Sequence, residues 1–287
     1  MNRNFIIYVV IFLLLFVSTA SVIVFYLELR TTKEEVTEYT TLQEQFTTIT
    51  NNPTIEFTDK SIDESKDVIP TIPPEWVGLP YLTVDFETLL IINPDSVGWI
   101  AIPLTPVSYP VVQTKNNTKY LTTSFNGNYS KAGTPFVDSN NDIQNLDTNT
   151  IIYSHNMGTG RDDMFSSLLE YKDYEYYLDN KYIQFDTIFQ RYGWWEIFAV
   201  IEYDIRSNDF QYLQLSFINA TDFMNWIKNA KELSVHDIDI DITPHDRILM
   251  LSTCDRGNYG RSGRMFILAV NIIESNNIQR EEIEGYG

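Results

Sequence analysis

From Trp76 onward the chain is cut into apolar clusters of about four to eight residues, each bounded by Asn, Gly, Asp or Pro. That spacing constrains the fold more than any other feature. Clusters this short suit strands buried on at least one face, and they leave little room for a helical bundle. The candidate strands are Val97–Ile102, Tyr109–Gln113, Thr134–Asp138, Thr150–Tyr153, Tyr182–Thr187 and Gly193–Tyr203, followed by Ile248–Leu251 and Met265–Val270. Helical segments interrupt the series at Val84–Ile92, ended by Asn93-Pro94-Asp95, at Met164–Tyr171, and at Ala220–Leu233. In the last of these Phe223, Trp226, Ile227 and Ala230 fall on one face. The pattern predicts one mixed, mainly β domain of about 210 residues over 76–287, with no internal repeat and no low-complexity tract.

The residues before it differ in kind. Phe5–Leu27 carries no charge, and a helix of that length would span roughly 34 Å, enough for a bilayer. A cleaved signal peptide would use the small residues Ser18-Thr19-Ala20-Ser21, but the apolar run resumes at Val22-Ile23-Val24-Phe25. An uncleaved membrane anchor over 1–30 is the expectation. Arg3 precedes the run while Arg30 and Lys33 follow it, and the shortness of the segment before Arg3 places the bulk of the chain outside the cell. Residues 31–75 are rich in Thr, Glu, Asp and Ser and contain Pro53, Pro70, Pro73 and Pro74. Apart from a possible helix at Thr32–Ile49 they read as an extracellular stalk or linker, a tether with no specific role.

Hydrophobic residues make up 44% of the 287 and aromatics 14%, enough for a full core. The net charge of -19, from 39 acids and 20 bases, disfavours nucleic acid and anionic headgroups as partners, since both need a basic face. A single cysteine excludes an intramolecular disulfide, and with three scattered histidines it forms no zinc pattern. Asp237–Asp241 reads as a solvated acidic face rather than a calcium site. No metal and no cofactor is expected.

The chemistry concentrates between Ile248 and Val270. Cys254 follows the first apolar run there, and Arg264 opens the second. Paired side by side, the two runs would bring a thiol and a guanidinium to one end of a sheet. A thiol with its ordinary pKa near ~8.5 needs a base to act as a nucleophile at neutral pH. His155 lies directly after the strand Ile151-Ile152-Tyr153, whereas His236 and His245 sit in an Asp-rich loop. Of the nearby arginines only Arg264 abuts a strand; Arg256 and Arg261 lie in the segment between. Each residue also has a structural reading: a buried cysteine acting as a small hydrophobe, a satisfied histidine, and a surface arginine in a weak ion pair.

In this order the residues resemble the sortase family, and within it the class B sortases. The resemblance runs from about Trp76 to Val270. It is carried by Leu251-Ser252-Thr253-Cys254, by Arg264 at the next strand's start, and by His155 in a Tyr-x-His-Asn-Met context. Asn93 to Ile100, Tyr109 to Gln113, Asn117 to Leu121, Gly133 to Asp138 and Met164 to Asp173 also fit, and the helix at Ala220–Leu233 matches the extra helix of class B. Ser154 stands where glycine often precedes the histidine, and Pro135 where an aliphatic or small residue is usual.

The resemblance implies a closed eight-stranded β-barrel with peripheral helices, carried on a single-pass membrane protein and facing the cell wall. It implies a cysteine transpeptidase that cleaves a C-terminal sorting motif of surface proteins through a thioacyl-enzyme. The acyl group would pass to an amine acceptor, either a peptidoglycan precursor or a pilin lysine. Cys254 would be the nucleophile, His155 the general acid/base and Arg264 the holder of the carbonyl or its oxyanion. Asn117, Leu121, Ser252, Thr253 and Asp255 resemble substrate-binding residues of the peptide groove. Two other classes stay open on the residues alone. One is a cell-wall cysteine peptidase of papain-like type, against which stands the order of His155 before Cys254. The other is a non-catalytic, anchored adhesin or scaffold.

Overall fold

A computed structural model of the chain describes residues 3–50, 81–158, 160–189, 193–255 and 257–272. It divides into two compact units, the first ending at Leu42 and the second beginning at Gln43. Most of the segment expected to be a stalk, and the boundary at Trp76, lie outside the described residues.

Helix α1, Arg3–Phe46, supplies the described part of the first unit as far as Leu42, and its last residues belong to the second. Its apolar part is long enough to cross a membrane, and the large side chains from Phe12 to Phe16 and from Val22 to Leu27 are exposed. Exposed apolar surface of that extent is what a lipid phase would cover. The helix expected at Thr32–Ile49 is the tail of α1, and it stops at Phe46. Thr47-Thr48-Ile49-Thr50 forms strand β1 instead, as a run of β-branched residues prefers. Strand β1 pairs antiparallel with β2, Tyr81–Val84.

The second unit continues with α2, Phe86–Ile92, which starts where the Asp85 carboxylate accepts the Thr88 N–H at 3.1 Å. Strands β3 (Ser96–Ala101), β4 (Ser108–Val112), β5 (Phe136–Val137) and β6 (Asn149–Tyr153) follow. After the short helix α3, Tyr174–Asp179, come β7 (Tyr182–Thr187), β8 (Trp194–Asp204), α4 (Ala220–Leu233), β9 (Ile248–Cys254) and β10 (Gly263–Asn271). Strands β3 to β10 close a barrel in the order β10-β8-β7-β3-β4-β5-β6-β9. Only the pairs β4–β5 and β6–β9 are parallel. The eight strands are those the apolar clusters predicted, with ends displaced by up to two residues except in β9, which runs three residues past Leu251 to Cys254. The segment expected to be a helix at Met164–Tyr171 is a 3-10 turn, Ser166–Lys172.

Residues opposite one another across a ladder share a face. Met250 lies opposite Leu268 and Ile151, and Ser252 opposite Phe266 and Tyr153. This face is packed by Phe223, Trp226, Ile227 and Ala230 of α4, the stripe read from the sequence. The site lies where that apolar cover ends.

Asp186 on β7 is buried at 2% exposure and clasps β2 to the barrel. Its Oδ1 accepts the Gly193 N–H at 3.0 Å, and its Oδ2 accepts from the Tyr81 hydroxyl at 3.0 Å and from Gln184 Nε2. Gln184 in turn brackets the Leu82 backbone, accepting its N–H at 2.9 Å and donating to its carbonyl at 2.6 Å. Burial outweighs these donors and pushes the carboxyl up from 3.8 to about 7. The folded state therefore keeps a proton that the unfolded chain releases. The resulting stability is complete below the unfolded value and is lost as pH rises through about 7. The displacement bounds this contribution at ~4 kcal/mol. Urea unfolding at pH 5 and pH 8 should show a smaller difference in Asp186→Asn than in the wild-type protein. An unchanged difference would locate the pH dependence elsewhere.

Candidate active site

Cys254 is the last residue of β9 and Arg264 the second of β10, and the antiparallel register makes them direct partners. Both therefore project from the face that carries Ser252 and Phe266, beyond the helix-covered part. The parallel ladder between β6 and β9 ends with Tyr153 opposite Ser252. Two residues further along each chain are His155 and Cys254. The Ser154 N–H still reaches the Ser252 carbonyl at 3.2 Å, and the Thr253 hydroxyl donates to the Ser154 carbonyl at 2.9 Å. These bonds keep His155 level with Cys254 after the strand has ended. His155, Cys254 and Arg264 thus fall level with one another on three neighbouring segments, and each is half-buried.

The His155 and Arg264 side chains are held by backbone groups. His155 Nε2 lies 2.8 Å from the carbonyl oxygen of Leu121, at the end of the 3-10 turn Lys119–Leu121. That turn is pinned by Gly133, where φ is +65° and a Cβ would come within 2.2 Å of the Tyr120 carbonyl, so only glycine fits. Arg264 Nη1 donates to the carbonyls of Gly263 at 2.8 Å and Arg261 at 3.1 Å. Arg261 itself is exposed in the loop, and Arg256 lies outside the described residues. The β9–β10 connection closes tightly: the Asp255 N–H donates to the Gly263 carbonyl at 3.1 Å, and a Cβ on Gly263 would sit 1.9 Å from the Asp255 carbonyl.

The residues expected to bind a peptide are placed as follows. The Leu121 carbonyl anchors the His155 ring. Asn117 donates to Asp138 Oδ2 at 2.9 Å and accepts the Ser139 N–H at 2.7 Å, and Tyr153 donates to the same carboxylate oxygen at 2.9 Å. Ser252, 4% exposed, shares the Cys254 face, while Thr253 faces the other way toward Ser154. Asp255 is 2% exposed, and its carboxylate is engaged by Lys172 and by the Gly257 N–H. Lys172 also lies 3.4 Å from Glu202. Lys172 and Asn156 carry no signal in the sequence, because the partners that give them meaning, Asp255 and the Cys254 carbonyl, lie at and just after the end of β9, far along the chain. Among the described residues no group of His, Cys, Asp and Glu could hold a metal ion.

A mixed eight-stranded barrel that carries a lone cysteine at a strand end, level with a histidine and an arginine, is the arrangement that the resemblance to sortases implies. No protein-family model matches the chain. The chain is 34% identical to Sortase B of Staphylococcus aureus (strain NCTC 8325 / PS 47) over 189 residues, covering 66% of this chain and 75% of that protein. It is 36% identical to Sortase B of Listeria monocytogenes serovar 1/2a (strain ATCC BAA-679 / EGD-e) over 176 residues, 61% of this chain and 69% of the other. Among solved structures, the Staphylococcus aureus sortase B-substrate complex superposes with a TM-score of 0.60 at 33% identity, covering 66% of this chain and 84% of that one. The chain belongs to the sortase B family.

Proposed function

We propose that the protein is a membrane-anchored transpeptidase that uses Cys254, His155 and Arg264 to move surface proteins from a C-terminal sorting motif to an amine acceptor. The observation that carries this reading is the pairing of Cys254 with Arg264 on one side and, on the other, the bonds of Ser154 to Ser252 and Thr253 that bring the segment of His155 alongside. The Cys254 thiolate attacks the scissile carbonyl, forming a C–S bond and a tetrahedral oxyanion. The Arg264 guanidinium stabilises that oxyanion through its N–H donors. Collapse breaks the C–N bond, and the departing amine takes a proton from His155. An incoming amine then attacks the thioacyl carbon, gives its proton to His155, and expels the thiolate. With Nε2–H donated to Leu121, Nδ1 is the nitrogen available for these transfers.

Asn117, Leu121, Ser252, Thr253 and Asp255 are the proposed substrate-contact region, with Ser252 best placed because it shares the nucleophile's face. In this reading residues 1–30 anchor the protein by a single span, 31–75 form the linker, and 76–287 act outside the cell against the wall.

The full-length protein in detergent, given a labelled sorting-motif peptide, should form a thioacyl adduct. Adding an amine should convert that adduct to a new amide. Release of free acid at a rate indifferent to the amine would make the protein a hydrolase and overturn the transpeptidase assignment.

A further inference from the structure

The β6–β9 ladder is parallel, and its last backbone bond runs from the Ser154 N–H to the Ser252 carbonyl. Continued for one more step, a parallel ladder would have the backbone N–H of residue 156 donate to the carbonyl of residue 254. The chain instead leaves the sheet after His155, toward the loop that contains Gly158 and Gly160, both at positive φ. In place of that backbone bond the Asn156 side chain donates: Nδ2 lies 2.9 Å from the Cys254 carbonyl oxygen. Its Oδ1 accepts the Gly158 N–H at 2.8 Å, which fixes the orientation of the amide. Across the departing loop, the Phe165 N–H donates to the His155 carbonyl at 2.9 Å, and Asn156 bridges to Met164, which is held at φ 55°.

We infer that Asn156 is a positioning residue, whose side-chain amide extends the ladder past its end and keeps His155 in register with Cys254. The backbone is thereby released into the loop while the imidazole stays beside the thiol. Asparagine suits this task because its short arm offers a donor to the carbonyl and an acceptor to the turn at once. Alanine would remove both bonds. Aspartate, nearly isosteric, would keep the acceptor but set a charge against the Cys254 carbonyl. Either change loosens the segment that carries His155 at its far end, leaving the Ser154–Ser252 and Phe165–His155 backbone bonds, and does so without touching the thiol, Arg264 or the Lys172–Asp255–Glu202 group.

This inference rests on the proposed roles of Cys254 and His155, so its test uses a probe that needs no sorting peptide. 1,3-Dibromoacetone first alkylates a thiol, losing bromide. It then alkylates an imidazole within reach of its three-carbon span, losing the second bromide, and each step releases one proton. Mass spectrometry of the full-length wild-type protein should show Cys254 joined to His155, and His155→Ala should show Cys254 alkylated once and no bridge. In Asn156→Ala and Asn156→Asp the bridge should fall at least about threefold, while the rate of the first alkylation and the melting temperature stay near wild type. Glutamine, which retains the amide on a longer arm, should recover part of the yield. Should the alanine variant fail to fold, the aspartate variant decides.

In the acylation assay, loss of register should lower kcat by ~10-fold or more with KM within about twofold, since misplacing a reacting group costs rate rather than binding. A wild-type bridging yield in both variants overturns the inference, and so does a wild-type protein that forms no bridge. If the bridge behaves as expected but no peptide adduct forms in wild-type protein, the transpeptidase reading falls and the positioning role stands.

Discussion

Replacing Cys254 by alanine is expected to abolish the covalent adduct with a sorting peptide, lowering turnover by at least ~10⁴-fold. The fold should hardly notice. Cys254 is half-buried at a strand end, its ladder to Arg264 is made by backbone, and its carbonyl bond to Asn156 does not involve the thiol. Removing a sulfur at such a position should change stability by about 0.5 kcal/mol or less. Serine should be inactive too, because a hydroxyl in the same place holds its proton far more tightly than a thiol. Intact-mass spectrometry after incubation with peptide reads the adduct, and thermal unfolding reads the fold. An adduct of undiminished yield in Cys254→Ala would remove the nucleophile assignment and the mechanism with it.

The strands were legible because they are short, strongly apolar and marked off by turn residues, and α4 because it carries one clear apolar stripe; their closure into a barrel came from the resemblance to a family. The pairing of β9 with β10 was legible too, because the two runs are neighbours in sequence and only a short polar loop separates them. His155 is another matter. Its nearness to Cys254 follows from a parallel pairing of strands about a hundred residues apart, which no local pattern encodes. Its place after an apolar strand made it a candidate base, and the resemblance to a family paired it with Cys254.

Strand β1 was hidden because Thr47-Thr48-Ile49-Thr50 directly continues a long helix and finds its partner only at Tyr81. Asn156 and Lys172 were passed over for a related reason. Asparagine and lysine are ordinary surface residues in a sequence, and their meaning here lies wholly in the Cys254 carbonyl and the Asp255 carboxylate that the fold sets against them. Asp255 shows the converse. Its place beside the nucleophile points to the substrate, while its carboxylate is already committed to Lys172.

Substituting Arg264 by alanine is expected to lower the rate of thioacyl formation by ~10² to 10³-fold, the usual cost of removing a donor from an oxyanion site. The effect should fall on kcat, because the charge that Arg264 meets develops only as the thiolate attacks. Lysine should restore little. The guanidinium here is not a loose charge: Nη1 spends its donors on the Gly263 and Arg261 carbonyls, which orients the planar group and leaves its remaining N–H donors for the reacting oxygen. An ammonium on a flexible stem cannot satisfy both carbonyls and still present a donor at a fixed place. Arg261→Ala keeps the carbonyl that Arg264 uses and should therefore act nearly as wild type. Single-turnover acylation of the three variants under saturating peptide separates these expectations. Equal rates for Arg264→Lys and wild type would reduce Arg264 to a general positive charge, and equal rates for Arg264→Ala would take it out of the mechanism.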